Sequence, residues 1–164
     1  RIVPIKNLEN LIEAFNILAL DIKDLQLNII GDYNTEYGNN IYTSKLSGSI
    51  SFLGELSQCE VFEHLKKTDY LVLPSFSENF SYSALESCLF DCNLIVSKQT
   101  PWTSLAPGYV SGSFDPYSVN DIYKALHECS IAKERTIAPL ELKKFVANEF
   151  VKNLNKEISK CLMR

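Results

Sequence analysis

Two carboxylates, Glu78 and Glu86, stand with seven residues between them in Pro74-Ser75-Phe76-Ser77-Glu78-Asn79-Phe80-Ser81-Tyr82-Ser83-Ala84-Leu85-Glu86. The apolar run Tyr70 to Leu73 ahead of this segment predicts a strand stopped by Pro74, then a polar loop, then a helix over 81–90. Free backbone N–H groups at such a helix start favour an anion, for instance a diphosphate. With Glu78 in the loop and Glu86 two turns along the helix, the carboxylates lie on the order of 10 Å apart. That is too far for paired acid/base work on one bond. It suits gripping two ends of an extended polyhydroxylated ligand, because each carboxylate accepts two hydroxyl hydrogen bonds.

Arg1 and Lys6 flank a turn that leads into the first predicted helix. Two cations at a helix start are placed to hold phosphate without a metal. No metal-ligand constellation is legible: the histidines are His64 and His127, and the five cysteines include no C-x-x-C pair. Cys88 and Cys92 stand at i, i+4 without a third ligand nearby, so packed thiols are the simpler reading. The odd number of cysteines points to buried or free thiols in a reducing compartment rather than a disulfide framework.

These residues need elements to position them. Leu8, Leu11, Ile12, Phe15 and Leu18 repeat at helical spacing, so 7–20 reads as an amphipathic helix. Leu25 to Ile30 reads as a buried strand, 32–40 as a polar loop, and 41–46 as a short helix. Ile50 to Leu53 is a second strand, 58–67 a helix, and Leu94 to Val96 a further strand. Pro101 and Pro107-Gly108 mark a loop, followed by a short strand at Val110 to Phe114. Val119, Ile122, Tyr123, Leu126 and Cys129 share a helix face, and a last helix runs from about 140 to 160. Its lysines (Lys143, Lys144, Lys152, Lys156, Lys160) interleave with glutamates and read as a solvated face. Short buried strands alternating with helices predict an α/β fold, a mostly parallel sheet with helices on both faces. Such a sheet offers its ligand crevice at the carboxyl ends of its strands.

Composition narrows the function classes. At 164 residues and 46% apolar content, the chain makes one domain with a real core. A net charge of −4 makes it a poor partner for nucleic acid. No apolar stretch approaches the roughly 20 residues that cross a bilayer. A first residue of Arg rather than Met reads as a fragment or excised domain.

With these residues in this order, the sequence resembles the C-terminal Rossmann-like domain of GT-B glycosyltransferases, specifically the large retaining family 4. The resemblance covers essentially the whole chain. It is carried by Arg1 and Lys6 followed by Asn7, by the Phe52-Leu53-Gly54 turn, and by Pro74-Ser75 with Glu78 and Glu86. The resemblance implies that Arg1 and Lys6 bind the donor diphosphate and stabilise it as leaving group. It implies that backbone N–H groups of Asn79, Phe80 and Ser81 meet the sugar and phosphates. Glu78 would then accept donor-sugar hydroxyls, Glu86 would hold both ribose hydroxyls, and Leu53 would border the base. Cations at the diphosphate act where charge develops as the anomeric bond breaks. The family commonly needs no metal, so no cofactor is expected beyond the nucleotide-sugar substrate.

Departures from the family pattern carry expectations of their own. Ser81 stands where the family often has Gly, and either crowds the phosphate or offers it a hydroxyl. Asp91 replaces Gly at the end of the Glu86 helix, where a left-handed cap costs stability. The family's opening strand lies just before Arg1, so the centre of the sheet is expected to be interrupted, or that segment to precede the sequence shown. Thr100 to Leu105, with Trp102 as packing anchor or stacking platform, resembles a segment of bacterial cell-surface polysaccharide glycosyltransferases.

The expectation is a single donor-binding domain, residues 1–164, of a retaining hexosyltransferase-type enzyme, with the acceptor domain elsewhere and the domain alone inactive. The acceptor would be a saccharide or a lipid-linked saccharide, and the enzyme cytoplasmic, at the inner membrane face in the lipid-linked case. The alternatives are a non-catalytic Rossmann-like module and another GT-B enzyme, such as a nucleotide-sugar epimerase or a phosphorylase.

Overall fold

The computed structural model describes residues 1–43, 49–132, 138 and 141–144. A 3-10 turn at Pro4–Lys6 leads into α1 (Leu8–Asp21), and then β1 (Leu27–Ile30), α2 (Glu36–Tyr42), β2 (Ile50–Gly54) and α3 (Gln58–Leu65) follow. The second half runs β3 (Tyr70–Leu73), α4 (Tyr82–Leu89), β4 (Asn93–Ser97), α5 (Trp102–Leu105), β5 (Val110–Phe114) and α6 (Val119–Ala132).

Among the described residues every strand pairing is parallel, β1 with β2 and β4 with both β3 and β5. Parallel neighbours need a crossover, and helices supply it. Strand β4 shows why both faces must be covered. All five of its residues are buried. Ile95 packs with α1 and α6 residues (Leu11, Phe15, Ile122, Leu126), whereas Leu94 and Val96 pack with Phe62, Leu85, Cys88 and Trp102. That split is the two-residue period of a strand sending alternate side chains to opposite cores. The α/β architecture, a parallel sheet covered on both faces, is thus the one the alternation of elements predicts, and it is Rossmann-like as the resemblance implies.

The interruption of the sheet is also present. Among the described residues, β1–β2 and β3–β4–β5 form separate ladders. Their common core, with Ile29 and Ile50 beside Ile95 and Phe114, holds the two ladders in one unit.

Three local expectations need correction. Helix α2 begins at Glu36, inside the stretch read as loop, rather than at 41; residues 44–46 lie outside the described residues. Thr35 caps α2 by accepting from the Gly38 N–H at 3.0 Å. Gly38 lets the helix start lie against Tyr33, where a Cβ would stand 2.5 Å from the Tyr33 carbonyl oxygen. Residues 102–105, read as loop, form α5, because the fully buried Trp102 pins that turn to the core. Cys59, read as a thiol, is disulfide-bonded. Cys88, Cys92 and Cys129 are free and buried as expected, and burial pushes the Cys88 thiol up to about 12, out of reach of thiolate chemistry. Of the predicted last helix, residues 141–144 are helical and the rest lies outside the described residues.

Asp91 takes the left-handed conformation expected of it, with φ 53°. Phe90 ends α4, and the Cys92 N–H reaches back to the Ser87 carbonyl at 3.1 Å, a Schellman closure. The carboxylate offsets the backbone cost by accepting from the Ala138 N–H and from Lys143. A glycine could do neither.

Candidate donor site

The carboxyl ends of the strands carry the candidate residues. After β3, Pro74 and Ser75 lead into a loop whose Phe76 N–H donates to the Ile5 carbonyl at 3.0 Å. This bond docks the loop onto the Pro4–Lys6 turn. Lys6 then lies 2.5 Å from the Glu78 carboxylate, with the Lys6 side chain 39% exposed and that of Glu78 16%. The pair faces the solvent edge, so the lysine keeps donors for a further acceptor.

Asn7 holds this arrangement in place. It is left-handed (φ 53°, ψ 44°), which breaks the 3-10 turn and starts α1. Its buried amide nitrogen donates to the carbonyls of Pro74 at 3.0 Å and Pro116 at 2.8 Å. One side chain thereby ties the loops after β3 and β5 to the turn that carries Lys6. Its Oδ1 is buried without a hydrogen-bond partner among the described residues.

Glu86 lies on α4 between the buried Leu85 and Ser87. It accepts from Gln58 Nε2 at 2.7 Å, across from the first turn of α3. Burial raises its affinity for a proton above the usual carboxylate range, and the Gln58 bond works against that rise.

The loop between the two acids is shaped from behind. Trp102 donates its indole N–H to the Phe80 carbonyl at 2.7 Å and packs against the Phe80 ring. With no exposed surface, Trp102 is the packing anchor and not a stacking platform. Ser81 precedes α4 with φ 55° and ψ 99°, a backbone state that favours glycine. Its hydroxyl makes no cap to the helix and pairs with Ser83 Oγ at 2.9 Å. Asn79 is exposed.

Arg1 is exposed at the carboxyl end of β1, where the neighbouring Ile2 N–H donates to the Asp32 carbonyl at 3.0 Å. Leu53 is half-buried near the end of β2, beside an aromatic cluster in which Tyr33 stacks on Tyr42 and both meet Phe52 edge-on. The structure therefore brings Lys6 and Glu78 into contact. Arg1, Leu53, Glu86 and the 79–81 loop stand at the same ends of the strands, with no ion pair joining Arg1 to either acid among the described residues.

Sequence reasoning missed Gln58 and the bridging amide of Asn7. A signal existed for the first: Ser57-x-x-Glu60 is a capping box, which sets Gln58 at the first helical position. Among the described residues no group of three or more His, Cys, Asp or Glu could hold a metal ion. No helix among them is long and apolar enough to cross a membrane.

A sequence profile of the family described as "Glycosyl transferases group 1" matches residues 1–131. The chain belongs to the glycosyl transferases group 1 family. No curated protein is a significant match to this group 1 sequence. Similar solved structures include Anabaena Alr3699/HepE in complex with UDP and glucose, 22% identical, TM-score 0.69, covering 99% of this chain and 46% of that one. The C-terminal domain of a glycosyl transferase group 1 family protein (LpcC) from Francisella tularensis is 20% identical, TM-score 0.66, covering 96% of this chain and 82% of that one. Sucrose-phosphate synthase from Thermosynechococcus elongatus is 16% identical, TM-score 0.71, covering 98% of this chain and 43% of that one. At these identities the structural likeness shows the fold. The group 1 chain spans a little under half the length of HepE.

Proposed function

We propose that this chain is the donor-binding domain of a retaining glycosyltransferase that moves a sugar from a nucleotide-diphosphate sugar to a saccharide or lipid-linked acceptor. The observation that carries the reading is the meeting of Lys6 and Glu78 at the strand ends, with Glu86 held on the following helix. An ammonium beside a carboxylate that accepts hydroxyls is what the junction of a diphosphate and a sugar requires. HepE, of the same fold, was crystallised with UDP-glucose, which supports a nucleotide-sugar as ligand.

In this reading Lys6 and Arg1 bind the diphosphate and stabilise the charge that grows on it as the anomeric C–O bond breaks. Lys6 has three N–H donors, so it can keep Glu78 and still reach a phosphate oxygen. The N–H groups of Asn79, Phe80 and Ser81 meet the sugar and phosphates. Glu78 accepts sugar hydroxyls, Glu86 accepts both ribose hydroxyls, and Leu53 borders the base. Positive charge from side chains and helix starts does the work that a metal would otherwise do, so a metal is not required. The acceptor side comes from another domain, and this domain alone turns over little. Cell-surface polysaccharide synthesis in a bacterial cytoplasm is the setting we favour.

Calorimetry with UDP, GDP and ADP tests the reading. One of them should bind the wild-type chain, and Glu86→Ala should abolish that binding. Silence from all three at millimolar concentration would favour a module that kept the fold without the donor site.

A further inference from the structure

We infer that Gln58 is a positioning residue that orients the Glu86 carboxylate toward a ribose diol, an inference that rests on the donor-site reading above. Gln58 opens α3, which follows β2, and Glu86 lies on α4, which follows β3. These strands belong to different ladders, so the 2.7 Å bond between the two side chains spans the break in the sheet.

The donor is well placed to act this way. The Ser57–Glu60 capping box, with Glu60 accepting from the Ser57 N–H at 2.8 Å, fixes the backbone from which Gln58 projects. With the backbone already fixed, only the rotamer freedom of the Gln58 side chain is lost in presenting the amide. A carboxylate only accepts, so it selects the NH2 end of the amide and settles its orientation. One bond to Oε1 uses one of about four lone-pair positions on the carboxylate. No other hydrogen-bond partner of Glu86 is found among the described residues, which leaves Oε2 for the two O–H donors of a vicinal diol. The bond also opposes the desolvation that favours the protonated acid.

The test combines a titration without ligand and a binding comparison. In the nucleotide-free chain, carboxyl-labelled glutamate followed by NMR, with Glu86 assigned through Glu86→Gln, should titrate at higher pH in Gln58→Leu than in wild type. Calorimetry with UDP, GDP and ADP, each beside its 2′-deoxy counterpart, should show wild type preferring the ribonucleotide. Gln58→Leu should weaken the ribonucleotide roughly tenfold and bring its preference over the deoxy form toward one. Gln58→Asn keeps the amide chemistry but shortens its reach, and should behave like Gln58→Leu. It serves also where the leucine variant fails to fold. An unmoved Glu86 titration overturns the proposal, and so does weaker binding with the ribose preference intact, the mark of a merely structural role. Wild type that binds none of the nucleotides overturns the donor-site reading itself, whatever the titration shows.

Discussion

Lys6 Nζ and Glu78 Oε2 lie 2.5 Å apart although 72 positions separate them in the chain. Neither residue is drawn there by its own element. The Phe76–Ile5 backbone bond and the Asn7 amide bring the two loops together, and the ion pair forms where they meet. Because the Lys6 side chain is well exposed, the pair adds at most about 1 kcal/mol to stability.

The two partners should therefore separate in binding rather than in folding. Lys6→Ala is expected to leave the unfolding midpoint nearly unchanged and to weaken a bound nucleoside diphosphate by an order of magnitude or more. Glu78→Gln frees the lysine, so the free diphosphate should bind as well or better, while the nucleotide-sugar loses its advantage over it. Calorimetry with both ligands on both variants checks this.

Glu86 predicts a pH dependence. Its folded-state proton affinity is raised by burial, so the native state holds that proton more tightly than the unfolded chain does. Ionising it costs native stability, which falls as pH rises through a point above the usual carboxylate range. Glu86→Gln should remove that segment of the profile and be at least as stable as wild type at neutral pH, while losing nucleotide binding. Denaturant unfolding from about pH 4 to about pH 8 measures it.

Ser81 predicts a gain. With φ 55° and ψ 99° on a residue that bears a Cβ, the backbone stores on the order of 1–3 kcal/mol. Ser81→Gly relieves that, less the flexibility glycine adds to the unfolded chain, for a net gain of about 1 kcal/mol. At this chain length the thermal midpoint should rise by about 2–4 °C.

Asn7 predicts a graded loss. Asn7→Gly keeps the left-handed turn and loses both buried carbonyl bonds, for a cost of about 2–3 kcal/mol. Asn7→Ala loses the bonds and adds about 1 kcal/mol of backbone strain. Both should also weaken nucleotide binding, because the turn carrying Lys6 is released. Paired unfolding curves, glycine against alanine, isolate the backbone share.

Much of the fold was legible because it rests on short-range pattern. The apolar spacing of Leu8, Leu11, Ile12, Phe15 and Leu18 marks α1 to within a residue at either end. The runs Tyr70–Leu73 and Val110–Phe114 are strands with the predicted bounds. Left-handed Asp91 was expected from the family resemblance, in which a glycine closes the same helix. Where the pattern misled, a contact from elsewhere decided. Trp102 turns a proline-bounded stretch into α5 by burying its ring against Phe80, and the close approach of Gly38 to the Tyr33 carbonyl starts α2 early.

The candidate site divides the same way. The identities of Lys6, Glu78 and Glu86, and their places at a turn, a loop and a helix, follow from the order of residues alone, since each depends only on neighbours along the chain. Which of them meet does not. That Lys6 pairs with Glu78, that Glu86 leans on Gln58, and that one asparagine amide clasps Pro74 and Pro116 were settled only when separate strands came side by side. Local periodicity records which face of an element is apolar. The distance between two loop tips is set by how whole elements pack, and no stretch of chain short enough to be read as a pattern contains it.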